Sequence, residues 1–288
     1  MSTTTPQTAH RKVSAEEATE IETAFVARHR QKVKRDRQMA LGLNILGVVI
    51  FFGLWEIAPN IGLLMSPVLF PPPSKVVEAA FPMILSGEIP LNIAVSLGRA
   101  GAGFAIAAVL GILAGVGMAR TTVLRELLEP LLHAFRSLPV IALVPISVLW
   151  FGIGESAKIA LVATGAFFPI WINSFIGVRD VHVVYLRSAS CLGANRFQTL
   201  GMVILPASLP FIIAGLRQGI AIALIVLVAA ELAGARAGVA YMMSMGHQLF
   251  RVDIMFAGLI LLGALGFLSD RLFVAVCRRL FPWYRPSA

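Results

Sequence analysis

Two cysteines in 288 residues, Cys191 and Cys277, cannot build a disulfide-stapled scaffold. Five histidines fall in no Cys/His spacing that would hold a metal, so no metal site is expected. GxxxxGK[ST] is absent, which excludes a P-loop of the chain's own. Ser, His and carboxylate side chains converge in no polar segment, so an integral-membrane enzyme has little support. Acidic residues are few, 15 against 24 Lys and Arg, for a net charge of +9. That excess comes without a basic groove interleaved with aromatics, which argues against a nucleic-acid partner. The N-terminus carries no short apolar core before a small-residue cleavage site. No cleavable leader is expected, and the first span itself would direct insertion.

What the chain does have is apolar surface. Hydrophobic residues make up 58% and the mean hydropathy is +0.83, which points to several membrane spans. Residues 1–38 are polar, with eight basic and five acidic side chains. Six of the basic ones lie between residues 28 and 37, and 14–37 suits either a surface amphipathic helix or a plain positive anchor. The remainder, 39–288, reads as one transmembrane domain. Spans are expected near 39–58, 92–118, 130–151, 157–177, 211–232 and 254–277. A short helix capped by Ser74 is expected to run to Leu85, and residues 119–129 are expected to form a turn. Lys and Arg concentrate in alternate loops. This places both termini, and the loop after the fourth span, on the cytoplasmic side. Both cysteines fall there too, as free thiols.

The second span is rich in glycine, with Gly111 and Gly115 in a small-xxx-small spacing that suits close helix contact. Pro139 and Pro145 should kink or interrupt the third span. Broken helices are tolerated in a bilayer where they face protein or a water-filled path. The pore-lining candidates are therefore Pro139 and Pro145, with Trp150 and Phe151 at the end of that span. Arg99, Arg217 and Glu231 are intramembrane charges, and Glu56 lies near the end of the first span. Such charges are costly and face protein or water. Arg99 is expected to pair with Glu231 or Glu56 and fix how spans pack; in the alternative, Arg99 or Arg217 attracts an anion in the path. The Met242, Met243, Met245 and His247 cluster suits packing better than soft-metal binding.

Residues 187–210 form a polar island of small side chains between two apolar runs. Residues 188–192 suit a short helix, which Gly193 would end. Residues 196–205 suit a second, with Pro206 and Pro210 breaking the chain after it. Small residues let a partner approach, and Arg196 suits acidic groups at a rim. On the residues alone, a docking surface and an incidental helix both remain open.

The stretch resembles the signature loop of ABC-importer permeases: Glu-Ala-Ala, three residues, Gly, nine residues, Ile, any residue, Leu-Pro. The pattern lands on Arg187, Ser188, Ala189, Gly193, Val203, Leu205 and Pro206. Arg187 and Ser188 depart from the Glu and first Ala, and Val203 stands for Ile. Leu138-Pro139, the run 148–158, Phe70-Pro71-Pro72-Pro73 and the run 215–231 resemble the permeases of nitrate, sulfonate, taurine and bicarbonate importers. The similarity runs from about residue 41 to the C-terminus.

The resemblance implies an all-α integral membrane protein of about six helices with the type I importer permease fold. The setting it implies is a bacterial inner membrane. Two permease copies would form a path for a small anionic solute. Each would dock one subunit of an ATPase dimer through residues 183–208, with Ala189, Leu192, Gly193 and Ala194 entering a cleft on it. An extracytoplasmic solute-binding protein would deliver the solute. ATP and Mg would be used by the ATPase, with no cofactor bound by this chain. The alternative is an ion-coupled secondary transporter, for which only Glu231 and Glu56 offer coupling groups.

Overall fold

Glycine and proline punctuate this chain, and most of its helices start or stop on them. The computed structural model describes residues 15–61 and 67–283, and all its regular elements are helical among the described residues. Two units are distinguished, residues 1–67 and 68–288. In the first, α1 (Ala15–Asn60) runs unbroken through the expected boundary at residue 38. Its stretch Gln38–Asn60 is long and apolar enough to cross a membrane. Phe52 stacks on Trp55 along it, Phe51 meets both rings edge-on, and Glu56 lies near its end, its carbonyl accepting from Asn60 Nδ2 at 2.8 Å. The expectations for residues 1–14 lie outside the described residues.

In the second unit α2 (Pro73–Leu85) opens with a proline in its first turn, where a missing N–H costs nothing. Pro72, not Ser74, takes the capping position. Then α3 (Glu88–Arg120) and α4 (Thr122–Arg136) follow with only Thr121 between them, in an extended conformation. The expected turn over 119–129 is thus mostly helix. Leu124, Leu128 and Leu132, spaced four apart, pack α4 against Met118, Trp171 and Phe175, and this contact holds the helix in place of a loop.

The third span is broken, as its prolines require. A 3-10 turn (Val140–Leu143) and α5 (Val144–Phe151) follow α4 at a bend of 91°. Next come α6 (Glu155–Arg179), α7 (Val183–Cys191) and α8 (Arg196–Thr199). A π turn (Leu200–Ile204) leads directly into α9 (Leu205–Leu232). Pro206 and Pro210 therefore do not break the chain. Leu205 N–H reaches back five residues to Leu200 O, and the widened turn accommodates the proline ring and the missing N–H beside it. Residues 233–253, between the last two expected spans, contain α10 (Val239–Gln248), and α11 (Val252–Leu280) is the last helix. Five helices qualify as spans, or six if the bent pair counts as one.

The core lies where α3, α6 and α9 meet, around Val162, Ala166, Ile170, Ala223 and Leu227. A Cβ on Gly103, Gly111 or Gly115 would fall 2.6, 2.9 and 2.7 Å from atoms of α6, so α3 can sit this close only with glycine there. The glycine spacing seen in sequence is the helix contact.

Candidate functional site

At one end of the bundle, beyond α6, the 187–210 island folds as a helix-turn-helix. His182 Nδ1 accepts from Val184 N–H and caps α7. Gly193 has φ +76° and ends the helix as its sequence position suggests. Gly193 N–H donates to Ser190 O and Ala194 N–H to Ala189 O, both at 3.0 Å, which satisfies the last carbonyls. Asn195 then caps α8 in a reciprocal box with Gln198, both bonds 2.9 Å. This box was legible as Asn-x-x-Gln, and sequence reasoning passed over it.

The turn thus spends its hydrogen bonds on itself and leaves its apolar side chains out. Leu192 is 87% exposed and Phe197 86%, with Met202 beyond them. Ser188, Gly193, Arg187 and Arg196 are exposed, and Ala194 is half-buried. Neither arginine has an ion-pair partner among the described residues. Ala189 is buried, Val203 and Leu205 are half-buried, and Pro206 is exposed. Ala189 therefore supports the surface from beneath, and Leu192 forms its tip.

At the opposite end of α6 lies a buried charge network. Arg99 of α3 donates from Nη1 to Glu231 Oε1 at 2.8 Å and to Ala237 O at 2.6 Å. Its other face grips Glu155, with Nη2 2.7 Å from Oε1 and Nε on Oε2. The expected partner Glu231 is present. The second partner is Glu155, which falls between the expected third and fourth spans. Glu231 also accepts from Ser96 Oγ at 2.7 Å and Ala240 N–H at 3.0 Å. Ser96 Oγ in turn accepts from Val239 N–H, and Asn92 Oδ1 accepts from Gly238 N–H at 2.7 Å. A Cβ on Gly238 would fall 2.3 Å from Glu231 Oε1, so only glycine allows the loop to close over this carboxylate. Lys158 is buried beside the cluster, 3.8 Å from Glu155. Two cations thus face two carboxylates, and α3, α6, α9 and the α9–α10 loop are tied at one point.

Residues 107–282 match the family model described as the binding-protein-dependent transport system inner membrane component. The chain is 37% identical over 244 residues to a Bacillus subtilis (strain 168) protein assigned as the aliphatic sulfonates transport permease protein SsuC, covering 84% of this chain and 87% of that one. It is 34% identical over 253 residues to the taurine transport system permease protein TauC of Escherichia coli (strain K12), covering 86% and 91%. The chain belongs to the binding-protein-dependent inner-membrane permeases. The fold agrees: an inward-facing structure of the MetNI methionine ABC transporter superposes with a TM-score of 0.57 at 19% identity, over 68% of this chain and 97% of that one. ATP hydrolysis in such importers belongs to separate ATPase subunits and solute capture to a binding protein. The permease is a transport subunit, not an enzyme, and the ion-coupled alternative is set aside.

Within the permease, Pro139, Pro145, Trp150 and Phe151 all lie on the exposed side of the broken span. Ser147 and Val148 turn the other way. With Lys158 they line a cavity of about 10 Å³, room for about one water. Arg217 is exposed. It forms a bidentate pair with Asp270 of α11, Nε 2.5 Å from Oδ1 and Nη2 2.8 Å from Oδ2. Asp270 went unnoticed in sequence, although a carboxylate inside a span is a signal in itself. Met242 and Met243 pack against Gly258 of α11. Outside the spans, Arg251 is held above its usual guanidinium range by its hydrogen bonds to Asp253.

Proposed function

We propose that this chain forms half of the translocation path of an ATP-driven importer for a small organic anion of the sulfonate or taurine type. The path lies between two copies of the permease in a bacterial inner membrane, with both termini and the α7–α8 turn on the cytoplasmic side. The ATPase receives Leu192, Gly193 and Ala194 in a cleft, with Arg187 and Arg196 at its rim. The observation that carries this reading is the α7–α8 turn, whose backbone is satisfied internally while Leu192 and Phe197 stand in the open. A monomer gains nothing by exposing two large apolar side chains on a rigid polar turn, whereas a docking surface needs such anchors. Solute class rests on the similarity to the sulfonate and taurine permeases.

The broken span, α4 to α5, lines the path through Pro139, Pro145, Trp150 and Phe151. Arg217 serves packing, since Asp270 neutralises it in a two-point contact. The test is uptake of labelled taurine into proteoliposomes holding the permease, its ATPase and its binding protein. The reading expects uptake that needs ATP and the binding protein and ignores ion gradients. Uptake driven by a proton or sodium gradient without ATP would contradict it.

A further inference from the structure

The face of α9 that carries Gln218 is not built for lipid. Gln218 lies 13 residues after Leu205 and 14 before Leu232, at the centre of the span, and its side chain is exposed. Its Oε1 accepts from Asn173 Nδ2 of α6 at 3.2 Å, and Asn173 Nδ2 also donates to Pro169 O at 2.8 Å. Gln218 Nε2 has no hydrogen-bond partner among the described residues, and Asn173 is only half-buried. An amide left against hydrocarbon at mid-bilayer is costly, so this face meets water or protein. The pair is also held in place. Gly215, one turn before Gln218, lets α9 approach so closely that a Cβ there would fall 2.8 Å from Asn173 Cβ. Arg217, next in sequence, points to Asp270 on α11 and leaves the amides as neutral groups.

Building on the organic-anion reading above, we propose that the Asn173–Gln218 amide pair lines the translocation path and lends its free N–H groups to an oxyanion of the passing solute. The chemistry suits the task. A fixed cation would hold a sulfonate too well to release it, while a neutral amide donor binds weakly and discriminates against cations. Asn173 orients Gln218 by occupying its carbonyl oxygen, which turns the donor end outward.

The test uses the complete importer in proteoliposomes, in a Cys191→Ser/Cys277→Ala background. Gln218→Cys is treated with the hydrophilic reagent 2-sulfonatoethyl methanethiosulfonate. Leu113→Cys is the lipid-facing control, on the side of α3 turned away from α6. Modification of Gln218→Cys at least ~10-fold faster than the control, slowed by taurine-loaded binding protein, is expected because a thiol reacts as thiolate in water and not in lipid. Equal rates would overturn the proposal. In the uptake arm, Gln218→Glu should cut taurine transport by about 10-fold or more, since a carboxylate replaces donors with like charge, while Gln218→Asn retains most of it. ATP hydrolysis stimulated by the binding protein should persist in both, which separates a path defect from a failure to assemble. Wild-type taurine rates in Gln218→Glu would also overturn the proposal. Should the wild type import no taurine, the solute reading falls, and the labelling rates alone decide for or against the amide pair.

Discussion

The two ends of α6 handle polar groups in opposite ways. At the Glu155 end, charges are buried and shared. Arg99 is 5% exposed, and its guanidinium joins side chains and backbone from α3, α6, α9 and the loop before α10. At the Arg179 end, α7 and α8 keep their hydrogen bonds local, through a left-handed glycine and a capping box, and turn apolar side chains outward. Removing Arg99 strands Glu231 in a place water does not reach. Removing an exposed member of the second strands nothing within this chain. One end is built to hold helices together, the other to be held by something else.

Five substitutions probe that contrast. Arg99→Ala should have the largest effect on stability, about 3–5 kcal/mol, because Glu231 is left buried without its counter-charge. Thermal unfolding of the purified permease in detergent would show it. Glu155→Ala should cost much less, as Glu155 is 59% exposed. If the two variants lose equal stability, the network is not anchored on Glu231. Gly238→Ala comes next, at roughly 2–3 kcal/mol, since the new Cβ meets Glu231 and the φ of +124° is hard for any side chain. The same assay reads it, and a wild-type melting curve would mean the α9–α10 loop is free to move off the carboxylate. Gly193→Ala should cost only about 1–2 kcal/mol, the left-handed conformation alone, because nothing lies within 4 Å of the added methyl. Leu192→Asp should stay within about 0.5 kcal/mol of wild type, as the side chain touches little of its own chain. A strong destabilisation by Leu192→Asp would erase the contrast between the two ends.

The parts of this arrangement that were legible in the sequence are the local ones. Apolar runs gave the spans, and Pro139 and Pro145 gave the interruption of the third. Gly193 after a small-residue helix gave the turn. Each of these depends on backbone preference within a few residues, which composition records directly. Arg99 with Glu231 was also within reach, because a buried cation must find an anion and few were available. Glu155 was missed because it falls between the expected third and fourth spans, just after Gly152 and Gly154, and only the packing of α3 against α6 brings it under Arg99. The expected break at Pro206 failed for a related reason. A widened turn absorbs a proline when the helix on either side is held by packing, and sequence gives no measure of that. The Gln218 amide showed no periodicity or motif of its own, and its meaning comes from Asn173 across a glycine contact.

The most direct measurement is co-purification of the ATPase subunit with the permease, comparing wild type with Leu192→Asp. The account predicts that the variant inserts, melts at the wild-type temperature and no longer brings the ATPase with it. A variant that retains the ATPase at wild-type stoichiometry would contradict the assignment of α7 and α8 as the docking surface.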